Sequence, residues 1–460
     1  MENFHFDIAI IGSGPAGHSA AIKLATFGRK IVIIEKDIVN MLGGTCLNQG
    51  CIPVKSMLHY SSLLSSLKKS GLNVDLSFLP DISFVSQKKR ENIKELLAGL
   101  SYIFKKNNIT ILSGTAKFLS NSKVEIINHE NISTTITADK FIIATGSYPS
   151  GMKNFLYDHN KIIDSNDAIN LTRVPKTMLI AGAGAIGLEF ADFFNTFGTK
   201  ITIIDIAPRA LSAADKEISR FIEKTLKEQG IEFLPKCFIE NIDSQDNEIK
   251  AVLNYNGEIK NSRYEKILIA AGRYPNTKNL GLENTGVMTD EKGFIKVDNF
   301  MRTSAPNIYA GGDVIATPML AHTASAEGEL IARVICLDTE DSIDYSSIPN
   351  VIYSRVKIAY LGKSEEILKE ENVEYKQAKY FFKANGRSVA NLEREGFIKL
   401  IVSARDKKIL GVHIAGNIAD ELINIFALAK QNGLTAQDIS ETIYAHPTVS
   451  EVCKDVASVL

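Results

Sequence analysis

A glycine-rich turn between a short strand-like run and a helix limits the possible folds of this chain more than any other segment. Residues 7–11 predict a buried strand, and Gly12, Gly14 and Gly17 follow it in a G-x-G-x-x-G pattern. A predicted helix then leads to a second apolar run that ends at Glu35. These glycines allow a tight turn and bring a pyrophosphate close to a helix N-terminus, while the acid accepts hydrogen bonds from ribose hydroxyls. The pattern predicts a dinucleotide-binding βαβ unit.

The same pattern returns in the middle of the chain. A second apolar run precedes Gly182, Gly184 and Gly187, and the next strand-like run ends at Asp205. The first glycine and the acid are 23 residues apart in both copies. One dinucleotide needs only one such unit, so the repeat predicts two dinucleotide sites.

Between the two copies lies a segment with two cysteines, Cys46 and Cys51. A zinc site would require a second cysteine pair at similar spacing, and the odd total of five cysteines argues against a disulfide framework. Inert buried thiols stay an alternative to a reversible dithiol/disulfide pair. Residues 43–45 can open a helix whose N-terminus, together with the charge of Lys55, would favour a thiolate at Cys46. With two dinucleotide units, the pair suggests a flavin dinucleotide, a nicotinamide dinucleotide and a disulfide in electronic series.

The apolar strand at 141–146 ends in small residues, and the strand at 267–272 repeats that ending. We therefore predict an α/β fold with two Rossmann-like dinucleotide-binding domains, the second inserted in the first, plus a C-terminal α+β interface domain. The expected boundaries are 1–147 and 275–345 for the two parts of the first domain, 148–274 for the second and 346–460 for the interface domain. The family resemblance given below implies an FAD-binding domain, an NAD-binding domain and a dimerisation domain, respectively.

The remaining segments allow only approximate predictions of helices and strands. Residues 56–107 read as helical, and short strands alternate with turns from 109 to 136. In the C-terminal segment we expect strands at 351–353, 397–402 and 409–414.

Charge and composition narrow the class of protein. The chain has 52 Lys and Arg against 53 Asp and Glu, which gives no support for a nucleic-acid or membrane-surface partner. No run of about 18 apolar residues occurs, and the first residues do not resemble a signal peptide. We expect a cytoplasmic location.

Asp205 favours the free 2′-hydroxyl of NAD over the 2′-phosphate of NADP, although Arg209 follows four positions later. Near the C-terminus, His446 precedes Glu451 by five residues, a spacing that suits a general-base dyad but also a capping or surface histidine. Asp313 follows two glycines and either reaches a ligand hydroxyl or serves a turn.

These segments together resemble the flavin-dependent pyridine nucleotide–disulfide oxidoreductases, in particular their dihydrolipoamide dehydrogenase branch. The most specific parts are 43–55, 318–322 and 446–451. The resemblance covers nearly the whole chain. It implies an enzyme that oxidises a dihydrolipoyl group through a Cys46–Cys51 disulfide and FAD and passes hydride to NAD.

The resemblance also implies roles for matching residues. FAD contacts are implied for Gly12, Gly14, Gly17, Glu35, Lys36, Gly43, Gly44, Thr45, Lys55, Ala116, Thr145, Gly146, Ser147, Asp313, Met319, Leu320, Ala321 and His322. NAD contacts are implied for Gly182, Gly184, Ile186, Gly187, Glu189, Asp205 and Gly272. The catalytic set would be Cys46, Cys51, Lys55, His446 and Glu451, with Lys55 paired to Glu189 and no metal ligand.

The implied assembly is a homodimer whose active site is shared, so that His446 would face Cys46 of the partner subunit. The implied partner is the dihydrolipoyl group of a lipoyl-domain (E2) protein, within a possible 2-oxoacid dehydrogenase complex. No nucleic acid and no membrane are expected.

Departures and alternatives accompany the resemblance. Val54 stands where the family often has Ser, His18 where it often has Tyr, and Arg355 and Lys357 make one segment unusually basic. A related NAD(P)H-dependent reductase of another small disulfide is therefore the alternative. A glutathione-type reductase is disfavoured by Asp205, and a binding protein with a structural flavin is disfavoured by the retained catalytic set.

Overall fold

A computed structural model describes residues 4–72, 81–152, 155, 157–244 and 248–460. The chain divides into two compact units. The first comprises Met1–Ser56, Ser86–Ser150 and Gly272–Ile343, and the second comprises Met57–Val85, Gly151–Ala271 and Asp344–Leu460. The four domain boundaries expected from the sequence stay a prediction.

The first unit is built on a largely parallel sheet. Its strands are β1 (Phe4–Ile11), β2 (Ile31–Glu35), β3 (Thr110–Ser113), β4 (Thr115–Ser120), β5 (Lys123–Ile127), β6 (Ser133–Ile143) and β17 (Ile308–Ala310). Their order is β3-β2-β1-β6-β5-β4, and β17 also pairs with β6. Strands β3, β2, β1, β6 and β17 run parallel, which explains why β2 is buried along its whole length.

Helices cover this sheet, and a short ribbon extends from it. The helices are α1 (Pro15–Ala25), α2 (Gly44–Asn48), α4 (Ile82–Lys106) and α8 (Ala321–Leu337), together with the start of α3 (Cys51–Lys69). The ribbon pairs β7 (Ser147–Pro149) with β16 (Arg273–Pro275). Helix α1 packs closely on α8, because a Cβ on Gly328 would lie 2.2 Å from the Ala16 carbonyl oxygen. A larger residue at 328 would separate the two helices.

The second unit contains a second parallel sheet. Its strands are β8 (Ile162–Ile163), β9 (Thr177–Ala181), β10 (Lys200–Asp205), β11 (Glu232–Pro235) and β15 (Lys266–Ile269), in the order β11-β10-β9-β15-β8. The helices here are α5 (Ser165–Ala168), α6 (Ala185–Thr196) and α7 (Lys216–Glu228), and an antiparallel sheet joins β12 (Cys237–Asp243), β13 (Ile249–Tyr255) and β14 (Glu258–Tyr264).

The C-terminal part of this unit is an antiparallel sheet. Its strands are β18 (Asn350–Ile352), β19 (Ile358–Gly362), β20 (Tyr375–Phe381), β21 (Phe397–Ser403) and β22 (Ile409–Ala415), in the order β18-β19-β22-β21-β20. Its helices are α9 (Glu365–Glu370), α10 (Gly386–Ala390), α11 (Ala419–Gln431), α12 (Ala436–Glu441) and α13 (Glu451–Ser458). The apolar faces of α11 and α13 bury Leu422, Phe426 and Val452 against this sheet.

The predicted repeat is confirmed at the level of single hydrogen bonds. Gly12 N donates to Ile34 O at 2.8 Å, and Gly182 N donates to Ile204 O at the same distance. The φ angles of the two glycines are +102° and +121°. A Cβ on Gly12 would lie 2.3 Å from Ala144 O, and a Cβ on Gly182 would lie 2.3 Å from Ala270 O, each at the end of a neighbouring parallel strand. Only glycine fits both demands. The repeated sequence motif is therefore a repeated backbone structure.

Two predictions about elements were incomplete. The expected helical region 56–107 contains two helices, α3 and α4, and residues 73–80 between them lie outside the described residues. In the C-terminal sheet, β19 and β20 were missed. Strand β20 mixes aromatic and polar residues with one alanine, four of the seven being exposed and three half-buried, so its sequence lacks the apolar run that reveals a buried strand.

No helix in the described part of the chain is long and apolar enough to cross a membrane.

Candidate active site

The first glycine-rich turn carries a network that sequence reasoning missed, because it depends on Ser13. The Ser13 hydroxyl donates to Glu35 Oε2 at 2.6 Å and accepts from Gly43 N at 3.0 Å. Glu35 Oε2 also accepts from Ser13 N at 3.0 Å. One buried serine thus joins the acid at the end of β2 to the start of the cysteine segment.

The residues of this turn fit the FAD that the sequence predicts. Gly14 precedes α1 and offers no side chain to cap it, so the first N–H groups of the helix point into an open turn. Gly44 lies against Gly14, since a Cβ on Gly44 would come within 2.5 Å of the Gly14 Cα. The absence of side chains leaves room for a pyrophosphate, which the N–H groups and the helix dipole stabilise.

A second cluster in the same unit joins Ser147, Arg273 and Asp313. Ser147 Oγ donates to Asp313 Oδ2 at 2.6 Å and accepts from Arg273 Nε at 2.6 Å. The buried Glu327 accepts from Gly312 N at 2.6 Å and so fixes the turn that carries Asp313. Arg273 and Glu327 were not predicted. Their only sequence signal was a charged residue beside a small-residue motif.

The other residues predicted to contact FAD spread over this unit. Thr145 Oγ1 donates to Asn276 O at 2.7 Å, and Asn276 N donates back to Gly146 O. Ala116 is buried in β4, where it pairs with Ile126. Lys36 is exposed directly after β2. Met319, Leu320, Ala321 and His322 form the entry to α8, with Leu320 at the N-cap.

Cys46 and Cys51 lie close enough for their thiols to interact. The pKa of the Cys46 thiol is raised well above its ordinary value, first by a hydrogen bond to Cys51, then by burial and by the charge of Cys51. Lys55 acts in the opposite direction and is too weak to reverse the shift.

This result corrects the expected thiolate at Cys46. A helix does begin at Gly44 as predicted, but α2 has five residues, whereas Cys51 is the first residue of the 19-residue helix α3. The longer helix presents its N-terminal dipole to Cys51. The sequence located the pair correctly, but the thiolate that it favoured at Cys46 is opposed by the raised pKa of that thiol.

The second glycine-rich turn repeats the first without the serine. Asp205 Oδ2 accepts from Ala183 N at 2.7 Å, and Asp205 Oδ1 accepts from Ala207 N at 2.8 Å. Gly184 is the N-cap of α6, and a Cβ added to it would have no neighbouring atom within 4 Å. This turn therefore fits a second dinucleotide phosphate in the same way.

The remaining residues of the predicted NAD set have different surroundings. Ile186 is half-buried in the first turn of α6, and Gly187 packs under the turn, where a Cβ would meet the Gly182 carbonyl oxygen at 1.9 Å. Glu189 is buried and accepts from Tyr353 N at 3.0 Å. Gly272 is exposed, with φ at +124°. The pairing of Lys55 with Glu189 stays a prediction.

His446 and Glu451 form the predicted dyad. His446 Nδ1 lies 2.9 Å from Glu451 Oε1, and Glu451 Oε2 accepts from Thr448 N at 2.9 Å. The hydrogen bond with His446 is the main cause of the lowered pKa of Glu451. Because an ionised carboxylate only accepts, Nδ1 donates and Nε2 is left as the basic nitrogen. The imidazole is 81% exposed, so Nε2 is available to a group outside this unit.

The basic segment at 355–357 contacts acids of its own unit. Lys357 Nζ lies 2.6 Å from Asp420 Oδ2. The charge and backbone of Arg355 act on the buried Asp192, but burial outweighs them and the pKa of Asp192 stays raised. Lys357 is thus paired with a carboxylate.

A family model described as pyridine nucleotide-disulphide oxidoreductase matches residues 6–328, and the model of its dimerisation domain matches residues 348–457. The chain is 37% identical to the dihydrolipoyl dehydrogenase of Geobacillus stearothermophilus over 98% of this chain and 95% of that protein. It is 37% identical to the mitochondrial dihydrolipoyl dehydrogenase of Pisum sativum over 98% and 90% of the two chains.

Among solved structures, the chain is similar to the Cu(II) complex of the HOCl-induced flavoprotein disulfide reductase RclA from Escherichia coli. The TM-score is 0.89 at 27% identity, and the match covers 100% of both chains.

Proposed function

Because this chain belongs to the pyridine nucleotide-disulphide oxidoreductase family, we propose that it is an FAD-dependent dehydrogenase that oxidises a dihydrolipoyl group and reduces NAD. The family uses FAD and NAD(H), and the two glycine-rich turns fit these two dinucleotides. Relatives named dihydrolipoyl dehydrogenase match nearly the whole chain. They support the dihydrolipoyl group as substrate over another small dithiol.

The observation that carries the proposal is the contact between Cys46 and Cys51 next to the first glycine-rich turn. A hydrogen bond joins the two thiols, and the Ser13 hydroxyl, which accepts from Gly43 N at 3.0 Å, ties the cysteine segment to that turn. Two adjacent thiols held beside a dinucleotide site can alternate between a dithiol and a disulfide. Two inert structural cysteines would not require this placement.

Substrate oxidation begins with proton transfer to His446. Nε2 takes the proton of one substrate thiol, and Glu451 stabilises the imidazolium that forms. The substrate thiolate attacks Cys46 Sγ of the Cys46–Cys51 disulfide, which breaks the S–S bond and releases Cys51 as a thiolate. The second substrate thiol attacks the substrate sulfur of the mixed disulfide, the bond from that sulfur to Cys46 Sγ breaks, and the proton of the second thiol passes to Cys46 Sγ. The cyclic substrate disulfide leaves, and the two cysteines hold its two electrons.

Bound FAD supplies the route by which these two electrons reach NAD as a hydride. The residues proposed to hold it are those of the first glycine-rich turn, with Glu35 at the ribose and Asp313 in its own turn. The Ser147–Arg273 pair orients Asp313. For NAD, Gly184 gives access to the helix N-terminus, and Asp205 accepts from the ribose.

The matched dimerisation domain supports a homodimer. We extend this to a shared active site, in which His446 serves the thiol pair of the partner subunit. The exposed imidazole supports this extension, since a solvent-exposed basic nitrogen can be reached by a second subunit. A lipoyl-domain protein is the proposed partner, and a reducing cytoplasm is the proposed location, because the dithiol must be reducible.

The test is anaerobic reduction of the purified flavoprotein by dihydrolipoamide, followed by addition of NAD, with flavin absorbance recorded throughout. Reduction with a long-wavelength charge-transfer band, then NADH formation, is expected. If the flavoprotein is not reduced by the dithiol but is reduced rapidly by NADH or NADPH, the assignment of the dihydrolipoyl group as substrate is wrong. That result would support the alternative, a reductase of another small disulfide.

A further inference from the structure

A cluster of buried charged side chains lies at the end of the loop 206–214, which follows Asp205. Lys399 Nζ contacts Asp215 Oδ2 at 3.0 Å, Glu217 Oε1 at 3.1 Å and Glu365 Oε2 at 2.5 Å. The side chains of Lys399 and Asp215 are each 1% exposed. A buried lysine among carboxylates contributes little net stability. We therefore ask which part of the structure Lys399 holds in place.

The cluster fixes one end of the loop 206–214. Asp215 is the N-cap of α7, where its Oδ1 accepts from Glu217 N at 2.9 Å. Its other oxygen is held by Lys399, in the middle of β21. Because Asp215 cannot move away from Lys399 without leaving a buried carboxylate unpaired, the start of α7 is held at a set position on the C-terminal sheet.

The other part of the loop is held by Arg209. Its Nη2 donates to Ser212 O at 3.0 Å and to Ala214 O at 3.1 Å, which closes the loop on itself. Its Nη1 lies 3.8 Å from Glu366 Oε1. Glu365 and Glu366 are neighbours in the first turn of α9, so one helix start contacts both anchors of the loop.

We propose that Lys399, Asp215 and Arg209 are positioning residues for NAD, which hold the loop 206–214 and thereby Asp205 at the ribose. Arg209, the nearest basic residue after β10, is occupied by loop carbonyls and Glu366 and is not a ligand for the 2′-phosphate of NADP. The inference rests on the proposed NAD site at Asp205.

The first experiment uses Asp215→Asn in the holoenzyme. Asparagine caps a helix as well as aspartate does, so α7 keeps its start while Lys399 loses one carboxylate. Flavin reduction is followed at increasing NADH concentration. We expect the NADH concentration for half-maximal rate to rise about tenfold, as for small displacements of positioning groups, with the limiting rate, the flavin content and reduction by dihydrolipoamide unchanged.

The control is Glu228→Gln on the same helix, whose ion pair with Lys224 is exposed. It should leave all readouts unchanged. An Asp215→Asn enzyme with wild-type NADH dependence, or one in which both half-reactions slow equally, would overturn the proposal. If that variant does not yield folded flavoprotein, Glu366→Gln is measured in its place, with the same expected and refuting results.

Arg209→Gln separates positioning from phosphate binding. The proposal expects weaker NADH binding with an unchanged preference for NADH over NADPH. A loss confined to NADPH would overturn it. Since reduction by NADH does not involve the dihydrolipoyl group, these measurements hold even if the proposed substrate is wrong.

Discussion

The buried Asp192 provides a pH-dependent test of the second unit. Its Oδ1 accepts from Gln229 Nε2 at 3.1 Å, and its pKa is raised from 3.8 to about 6. Burial is the largest cause, and it exceeds the lowering effects of Gln229, Arg355 and Ser61. The ionised form is thus disfavoured in the folded protein despite these partners.

The direction in which stability changes with pH follows from the number of protons that each state binds. Between pH 3.8 and about 6 the folded state binds more protons at Asp192 than the unfolded state does, so stability falls as pH rises through this window. A shift of about two units corresponds to roughly 3 kcal/mol of destabilisation once the group is fully ionised. Of this, about 1.4 kcal/mol develops between pH 5 and pH 8.

Asp192→Asn replaces the carboxyl with a neutral group of the same shape and removes this destabilisation. We expect the difference in melting temperature between variant and wild type to be larger at pH 8 than at pH 5. For a unit of this size the increase should be about 3–6 °C. Thermal unfolding of the holoenzyme, followed by flavin fluorescence and circular dichroism at both pH values, measures it.

Glu228→Gln, which removes an exposed carboxylate on α7, serves as the control. Its melting temperature should differ equally little from that of the wild type at both pH values. If Asp192→Asn destabilises the protein more at pH 8 than at pH 5, the ionised carboxylate is a net stabilising partner of Arg355. The reasoning from burial would then be wrong.

Three further predictions concern the site. His446→Ala should slow flavin reduction by dihydrolipoamide by about 10²–10⁴-fold and leave reduction by NADH intact; equal loss of both would refute the base assignment. Cys51→Ser should lower the pKa of the Cys46 thiol, because the charge of Cys51 that raises it is removed and the new hydroxyl can donate to a Cys46 thiolate; ultraviolet thiolate absorbance against pH measures this, and an unchanged pKa contradicts it. Gly182→Ala should destabilise the fold by about 1–3 kcal/mol, since φ is +121° and a carbonyl lies 2.3 Å from the new Cβ. Gly184→Ala, which meets no atom within 4 Å, should instead weaken NADH binding without a change in melting temperature.

The repeated dinucleotide turns could be predicted from the residues alone, because their chemistry permits few residue types. At Gly12 and Gly182 a positive φ and a carbonyl oxygen 2.3 Å from the position of a Cβ exclude any side chain. The requirement for glycine can therefore be recognised in the sequence. The spacing of Cys46 to Cys51 and of His446 to Glu451 was equally local. Each pair lies within a few residues along the chain, and its geometry follows from one turn.

Properties that depend on residues distant in the chain became visible only in the folded protein. The raised pKa of the Cys46 thiol follows from its hydrogen bond to Cys51 and from burial, and neither is visible in the spacing. Arg273 and Glu327 act through partners more than a dozen residues away. Such contacts form only when separate strands and helices pack together, since long-range burial and electrostatics have no signature in any single segment.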